Sequence, residues 1–134
     1  MGYCFQVVDS VFKIRKENLK KTLKAIQSLH GKETITDSSG EHFSWVKKDF
    51  YKLKTVKEIL EEWRWEPQFD GDENIEGIVF IGEKIGNDNI LFETIAPLVE
   101  NGSYIDCIGE DAQAWRWKFI DGKFEEKALK LVEN

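Results

Sequence analysis

Histidine, cysteine, proline and methionine are all scarce in this chain, at two, two, two and one copies in 134 residues. Its four sulfur and imidazole groups, Cys4, Cys107, His30 and His42, form no CxxC or HxxxH spacing, so a zinc site would require all four to converge. The two cysteines lie far apart in stretches that read as strands; they are expected to be reduced core residues, which points to a cytoplasmic location. No run approaches the roughly 20 apolar residues of a membrane span, so no membrane association is expected. The first residues lack a basic segment followed by a continuous apolar one, so no signal peptide is expected. Gln6 stands where a myristoylation motif needs Ser or Thr.

What the chain has in quantity is charge and aromatic rings. Hydrophobic residues make up 41% and charged residues 33%, a globular composition, and the length fits one α+β domain spanning residues 1–134. The charge is unevenly divided. Residues 1–57 carry 12 Lys and Arg against 6 Asp and Glu, a net of +6, whereas residues 58–134 carry 7 against 19, a net of −12. Such asymmetry points to a partner, although the two halves can also neutralise each other within one fold.

Hydrophobic periodicity orders the chain. Residues 3–14 alternate like a strand, interrupted at Asp9-Ser10. Leu19, Leu23, Ile26 and Leu29 recur at helical spacing, with Lys20, Lys21 and Lys24 on the other face. Residues 32–40 read as a polar loop and 42–46 as a short strand. Thr55 and Glu58 fit a capping box, opening a helix that ends near Trp65 because Pro67 disfavours helical geometry at Glu66. An acidic loop, 70–74, leads to residues 75–81, whose continuous apolar run Ile78-Val79-Phe80-Ile81 marks an expected central strand. Asn89 caps a third helix, which Pro97 kinks or restarts. Strands at 103–108, 114–120 and 123–127 close the chain, and Asp121-Gly122 is a type I′ hairpin signal. The predicted fold is a single mixed, mainly antiparallel sheet with about three helices mostly on one face and a C-terminal β-meander.

Several residue groups are candidates for chemistry. In a strand, Trp115 and Trp117 share a face with Phe119 while Arg116 points away; the row is either a stacking platform or the layer beneath the helices. Nucleic acid is not the expected partner, because this half of the chain is acidic. Asp70, Asp72 and Asn74 echo the start of an EF-hand loop, but Ile75 and Ile81 occupy the places of its Gly and its bidentate Glu. The turn 82–89 lacks Walker spacing, and Asp88 would repel a phosphate. Cys107 with His42, or the pair Glu110 and Asp111, are the only catalytic candidates. No cofactor is implied.

Gly102-Ser103-Tyr104-Ile105, Gly109-Glu110-Asp111, Trp115-Arg116-Trp117 and Phe119 together resemble the C-terminal block of small uncharacterised proteins of bacteria and their phages. That resemblance covers the last quarter of the chain and implies no activity. The expected function is therefore a non-enzymatic, inhibitor- or immunity-like domain. Its carboxylates Asp70, Asp72, Glu73, Glu110 and Asp111 would meet a basic protein partner, with Trp115, Arg116 and Trp117 as further binding residues. The alternatives are a small-molecule module with a Trp/Arg-lined pocket, and an enzyme.

Overall fold

The computed structural model describes residues 2–37 and 40–130. The interruption at Asp9-Ser10 is a β-bulge. Strand β1 (Phe5–Val11) runs antiparallel to the segment Tyr104–Gly109, and their register shifts between Val7 and Asp9, leaving Val8 as the extra residue. The long strand read from residues 3–14 is thus seven residues, followed at Ile14 by a single bridge. There Ile14 and Ile75 exchange backbone hydrogen bonds of 3.0 and 2.8 Å.

The polar segment 32–40 is partly ordered as strand: β2 (Ile35–Asp37) pairs with β3 (Gly40–His42). Residues 38 and 39 of that expected loop lie outside the described residues. The strand expected at 42–46 is confined to its first residue; beyond it the chain turns so that Phe43 and Val46 are buried and Trp45 is exposed.

Helix α1 (Leu19–Gln27) follows a 3-10 turn at Lys16–Asn18, buries Thr22 and Ile26, and leaves Lys20, Lys21 and Lys24 in solvent. Helix α2 (Val56–Glu62) opens on Thr55, whose hydroxyl oxygen accepts from the Glu58 amide at 3.1 Å and whose hydroxyl lies 2.9 Å from the Glu58 carboxylate. The sequence reading runs α2 on to a loop, but Arg64 adopts a left-handed conformation (φ 74°) that reverses the chain into a further strand, β4 (Trp65–Phe69).

β4 pairs antiparallel with β5 (Ile75–Phe80) in a two-stranded ribbon. Pro67 is accommodated because β4 is an edge strand, with one side free of ladder bonds. The segment 75–81 is therefore not the centre of a single sheet. Instead, β5 lies beside β1, joined to it at Ile14–Ile75. At the other end, where Cys4 bridges Lys84, Phe5 N donates to Glu83 O (3.1 Å) and Ile85 N to Tyr3 O (2.7 Å). No ladder forms between these ties, where the bulge bends β1.

Helix α3 (Asp88–Ile95) begins one residue before the expected cap Asn89 and ends in a fresh 3-10 turn, Ala96–Leu98, that holds Pro97. The chain then forms β6 (Tyr104–Gly109), β7 (Ala114–Ile120) and β8 (Lys123–Leu129), giving a four-stranded antiparallel sheet in the order β1-β6-β7-β8. Asp121 (φ 54°) and Gly122 (φ 77°) are both left-handed, as a type I′ turn requires. The architecture is α+β, with three helices and the C-terminal meander in the main sheet.

Two aromatic clusters fill the interior. Phe92 of α3 meets Trp65 (5.0 Å between ring centroids), Trp117 (5.5 Å), Phe119 (5.8 Å) and Phe12 (5.9 Å) over the sheet. A second cluster joins Trp63 to Phe43 (4.9 Å) and Phe50 (5.7 Å) beneath the β3–α2 segment. Among the described residues, no helix is long and apolar enough to cross a membrane.

Candidate binding surfaces

The β4–β5 ribbon concentrates negative charge. Residues 65–81 contain five Asp and Glu and no Lys or Arg. Register places Trp65 opposite Phe80 and Pro67 opposite Ile78 on the inner face, so Glu66 opposite Val79 and Gln68 opposite Gly77 form the outer one. Glu66 is exposed on that face, Asp72 and Glu73 in the loop that joins the strands, and Glu76 at the bulge where the register shifts between Gln68 and Phe69. Val79 (41%) and Ile81 (51%) are exposed as well.

Asp70 does different work. Its Oδ1 accepts from the amides of Asp72 (2.8 Å) and Asn74 (3.0 Å), and its Oδ2 from the Asn74 side chain (3.1 Å). The Asn74 side chain, with the Asn74 amide, holds this carboxyl below the usual carboxylate range. Asp70 is thereby the residue that shapes the loop. Among the described residues, no three His, Cys, Asp or Glu are grouped so that they could hold a metal ion.

Glu110 and Asp111 lie in the β6–β7 turn, at the far end of β1 from Asp70. Glu110 Oε1 accepts from the Cys4 amide (3.2 Å), the Glu110 amide donates to Cys4 O (2.9 Å), and the Tyr3 hydroxyl donates to Asp111. That last bond pushes Tyr3 up to about 12 and keeps Asp111 below the ordinary carboxylate range. Asp70 sits near the Ile14 end of the β1 segment and Glu110 and Asp111 near its Cys4 end, with the seven-residue β1 of roughly 20 Å between them, so the five carboxylates picked from the sequence divide into two groups rather than one face.

Trp117 is fully buried and Trp115 half-buried, both on the core side of β7. Trp117 Nε1 donates to Glu126 at 2.8 Å. Arg116 faces the opposite side, where its Nε and Nη2 donate to Asp106 at 2.6 and 2.8 Å and its guanidinium lies 4.3 Å from the Tyr104 ring centroid. The three residues thus contribute to packing and to an internal ion pair. Cys107 is buried in the sheet, and burial, followed by the charges of Asp106, Asp88 and Glu126, pushes its thiol up to about 12. A thiol held protonated is a poor nucleophile.

A second feature escaped the sequence reading. Arg64, at the α2–β4 reversal, donates from Nη2 to both oxygens of the fully buried Asp88 (3.1 and 3.0 Å) and from Nη1 to the Lys84 carbonyl. Asp88 also accepts from Trp65 Nε1 and from the Gly86 amide, each at 2.9 Å. Outside this junction is a notch of about 310 Å³ lined by Trp45, Arg64, Gly82, Glu83 and Lys84. The first Trp-Arg-Trp and the two glycines of the 82–88 turn were its visible signals, but only the left-handed residue at Arg64 brings them together.

No family model, curated protein or solved structure matches this chain. No functional family is thereby recognised for this chain.

Proposed function

We propose that this protein is a non-enzymatic binding domain that engages a basic protein surface through the outer face of the β4–β5 ribbon. The observation that carries this reading is the mixture on that face and at its loop end: Glu66 and Val79 are exposed opposite each other, Ile81 is exposed beyond the end of β5, and Asp72, Glu73 and Glu76 are solvated at the loop and bulge. Carboxylates steer a cationic partner at long range, and the apolar pair supplies area that loses water on contact. Asp70, Glu110 and Asp111 keep their charge but also accept hydrogen bonds within the fold, so they serve its structure as well as any partner.

The test is affinity capture from the cells that make the protein, at low and at high salt, with identification of what is retained. The expected result is a basic protein recovered at low salt and reduced at high salt. Recovery of only acidic partners, or retention unaffected by salt, would overturn the reading.

A further inference from the structure

Trp45 is an indole held where the core cannot use it. Its neighbours Phe43 and Val46 are buried, yet Trp45 is 54% exposed and left-handed (φ 66°). A bulky residue rarely adopts that conformation unless its surroundings enforce it. The enforcement is visible on both sides: Ser44 N donates to Asn87 Oδ1 (2.8 Å), and Val46 N donates to Phe43 O (3.2 Å). The backbone that carries the ring is therefore held in place, which lowers part of the ordering cost of binding against it.

The notch beneath it is built rather than incidental. Arg64 is pinned by Asp88 and the Lys84 carbonyl, with its guanidinium 5.2 Å from the Phe80 ring centroid. Its Nε is buried and has no hydrogen-bond partner among the described residues. A Cβ at Gly86 would fall 2.8 Å from Arg64 Nη2 and 3.0 Å from Trp45 Cδ1, so any side chain there would crowd the space between the two residues. Lys84 makes no ion pair among the described residues, and its Nζ stands 5.9 Å from the Trp45 ring centroid.

We propose that this notch binds a small planar monovalent anion, an aromatic carboxylate, whose ring lies on Trp45 and whose carboxylate meets Lys84. The local charges select that class. Asp88 answers Arg64, and Glu83 shares the rim with Lys84, so the notch offers one mobile ammonium and no surplus positive field. A phosphate dianion would gain the same ammonium and be opposed by both carboxylates. A volume of about 310 Å³ sits at the small end of ligand pockets. This site is separate from the acidic ribbon and does not depend on the protein-binding reading.

The test is a titration of the ¹⁵N-labelled protein with benzoate, following the five indole resonances, with Trp45 assigned through Trp45→Phe. The expected result is a saturable shift of the Trp45 indole and the Lys84 amide with a Kd of about 1 mM or tighter. Inorganic phosphate and benzylamine, each carrying one half of the recognised chemistry, are expected to bind at least about tenfold more weakly. Lys84→Gln should weaken benzoate binding about tenfold at an unchanged melting midpoint, and Trp45→Ala should remove it. The proposal is overturned by the absence of a saturable shift at about 10 mM benzoate. It is equally overturned by an equal response to benzylamine, or by a folded Lys84→Gln protein that binds like the wild type.

Discussion

Trp-Arg-Trp occurs twice, at 63–65 and at 115–117, and the two copies are folded in opposite ways. In the strand copy, side chains alternate: Trp115 and Trp117 enter one cluster and Arg116 crosses to the other face, where Asp106 takes it. At the helix end, left-handed Arg64 turns the chain between the two rings, so Trp63 joins Phe43 and Phe50 while Trp65 joins Phe92 and Trp117. Each arginine finds a carboxylate, but the settings differ. Arg64 and Asp88 have side chains 13% and 0% exposed, against 38% and 10% for Arg116 and Asp106. One tripeptide thus joins two aromatic clusters in one context and stays within a single sheet in the other, and the difference lies in one backbone angle.

The largest effects should come from the rings. Trp65→Ala and Trp117→Ala are each expected to cost about 3–5 kcal/mol in urea unfolding. Because these rings lie 6.2 Å apart, the double variant should depart from additivity by about 0.5 kcal/mol or more. Trp63→Ala combined with Trp117→Ala should be additive; coupling there would mean that the two clusters are one. The arginines come next. Arg64→Met strands a buried carboxylate and should cost about 3–5 kcal/mol, whereas Arg116→Met, where the arginine is 38% exposed and water can reach Asp106 once it is gone, should cost less, about 1–2 kcal/mol. Equal losses would contradict the distinction between the two settings. Smaller still is Gly122→Val in the hairpin that follows the second copy, at about 1 kcal/mol or slightly more, arising from φ rather than crowding, since the nearest atom to an added Cβ is Pro97 Cα at 3.7 Å.

The smallest effect is one of pH. Asp70 and Asp111 both have depressed folded pKa values, Asp70 chiefly through the Asn74 side chain and Asp111 through the Tyr3 hydroxyl. Their stabilisation is present above the unfolded carboxylate value of about 3.9 and is lost as pH falls through the lower folded one. Asp70→Asn and Asp111→Asn should therefore flatten the acid limb of the melting midpoint against pH. An acid limb as steep as that of the wild type would show that these hydrogen bonds do not contribute.

Much of the fold was legible because its elements obey local rules. The polar pair Asp9-Ser10 flagged the bulge beside it at Val8, the Thr55 cap and the Asp121-Gly122 turn sit where their chemistry demands, and β7 sets Trp117 and Phe119 inward against Arg116 and Lys118. β4 was not legible, since Pro67 reads as a breaker unless the strand is known to be an edge. The expected single sheet failed at the same place: an apolar run such as 78–81 is equally at home in a sheet centre or in a ribbon covered by helices. The notch stayed hidden because Trp45, Arg64 and Lys84 are distant in sequence and two of them depend on left-handed residues. The acidic loops were visible as sequence, but which carboxylates remain free depends on partners such as Tyr3, Cys4 and Asn74.

Carboxylates hydrogen-bonded into the fold thus stand apart from those at the ribbon and its loop, and two charge-reversal variants separate the two groups. One replaces Glu66, Asp72, Glu73 and Glu76 with Lys, and the other replaces Glu110 and Asp111 with Lys. For each, the melting midpoint is measured beside the stopped-flow association rate with the captured basic partner. The expected result is a ribbon variant that melts like the wild type but associates far more slowly, and a turn variant that melts lower but associates normally. A ribbon variant that associates at the wild-type rate would contradict the account.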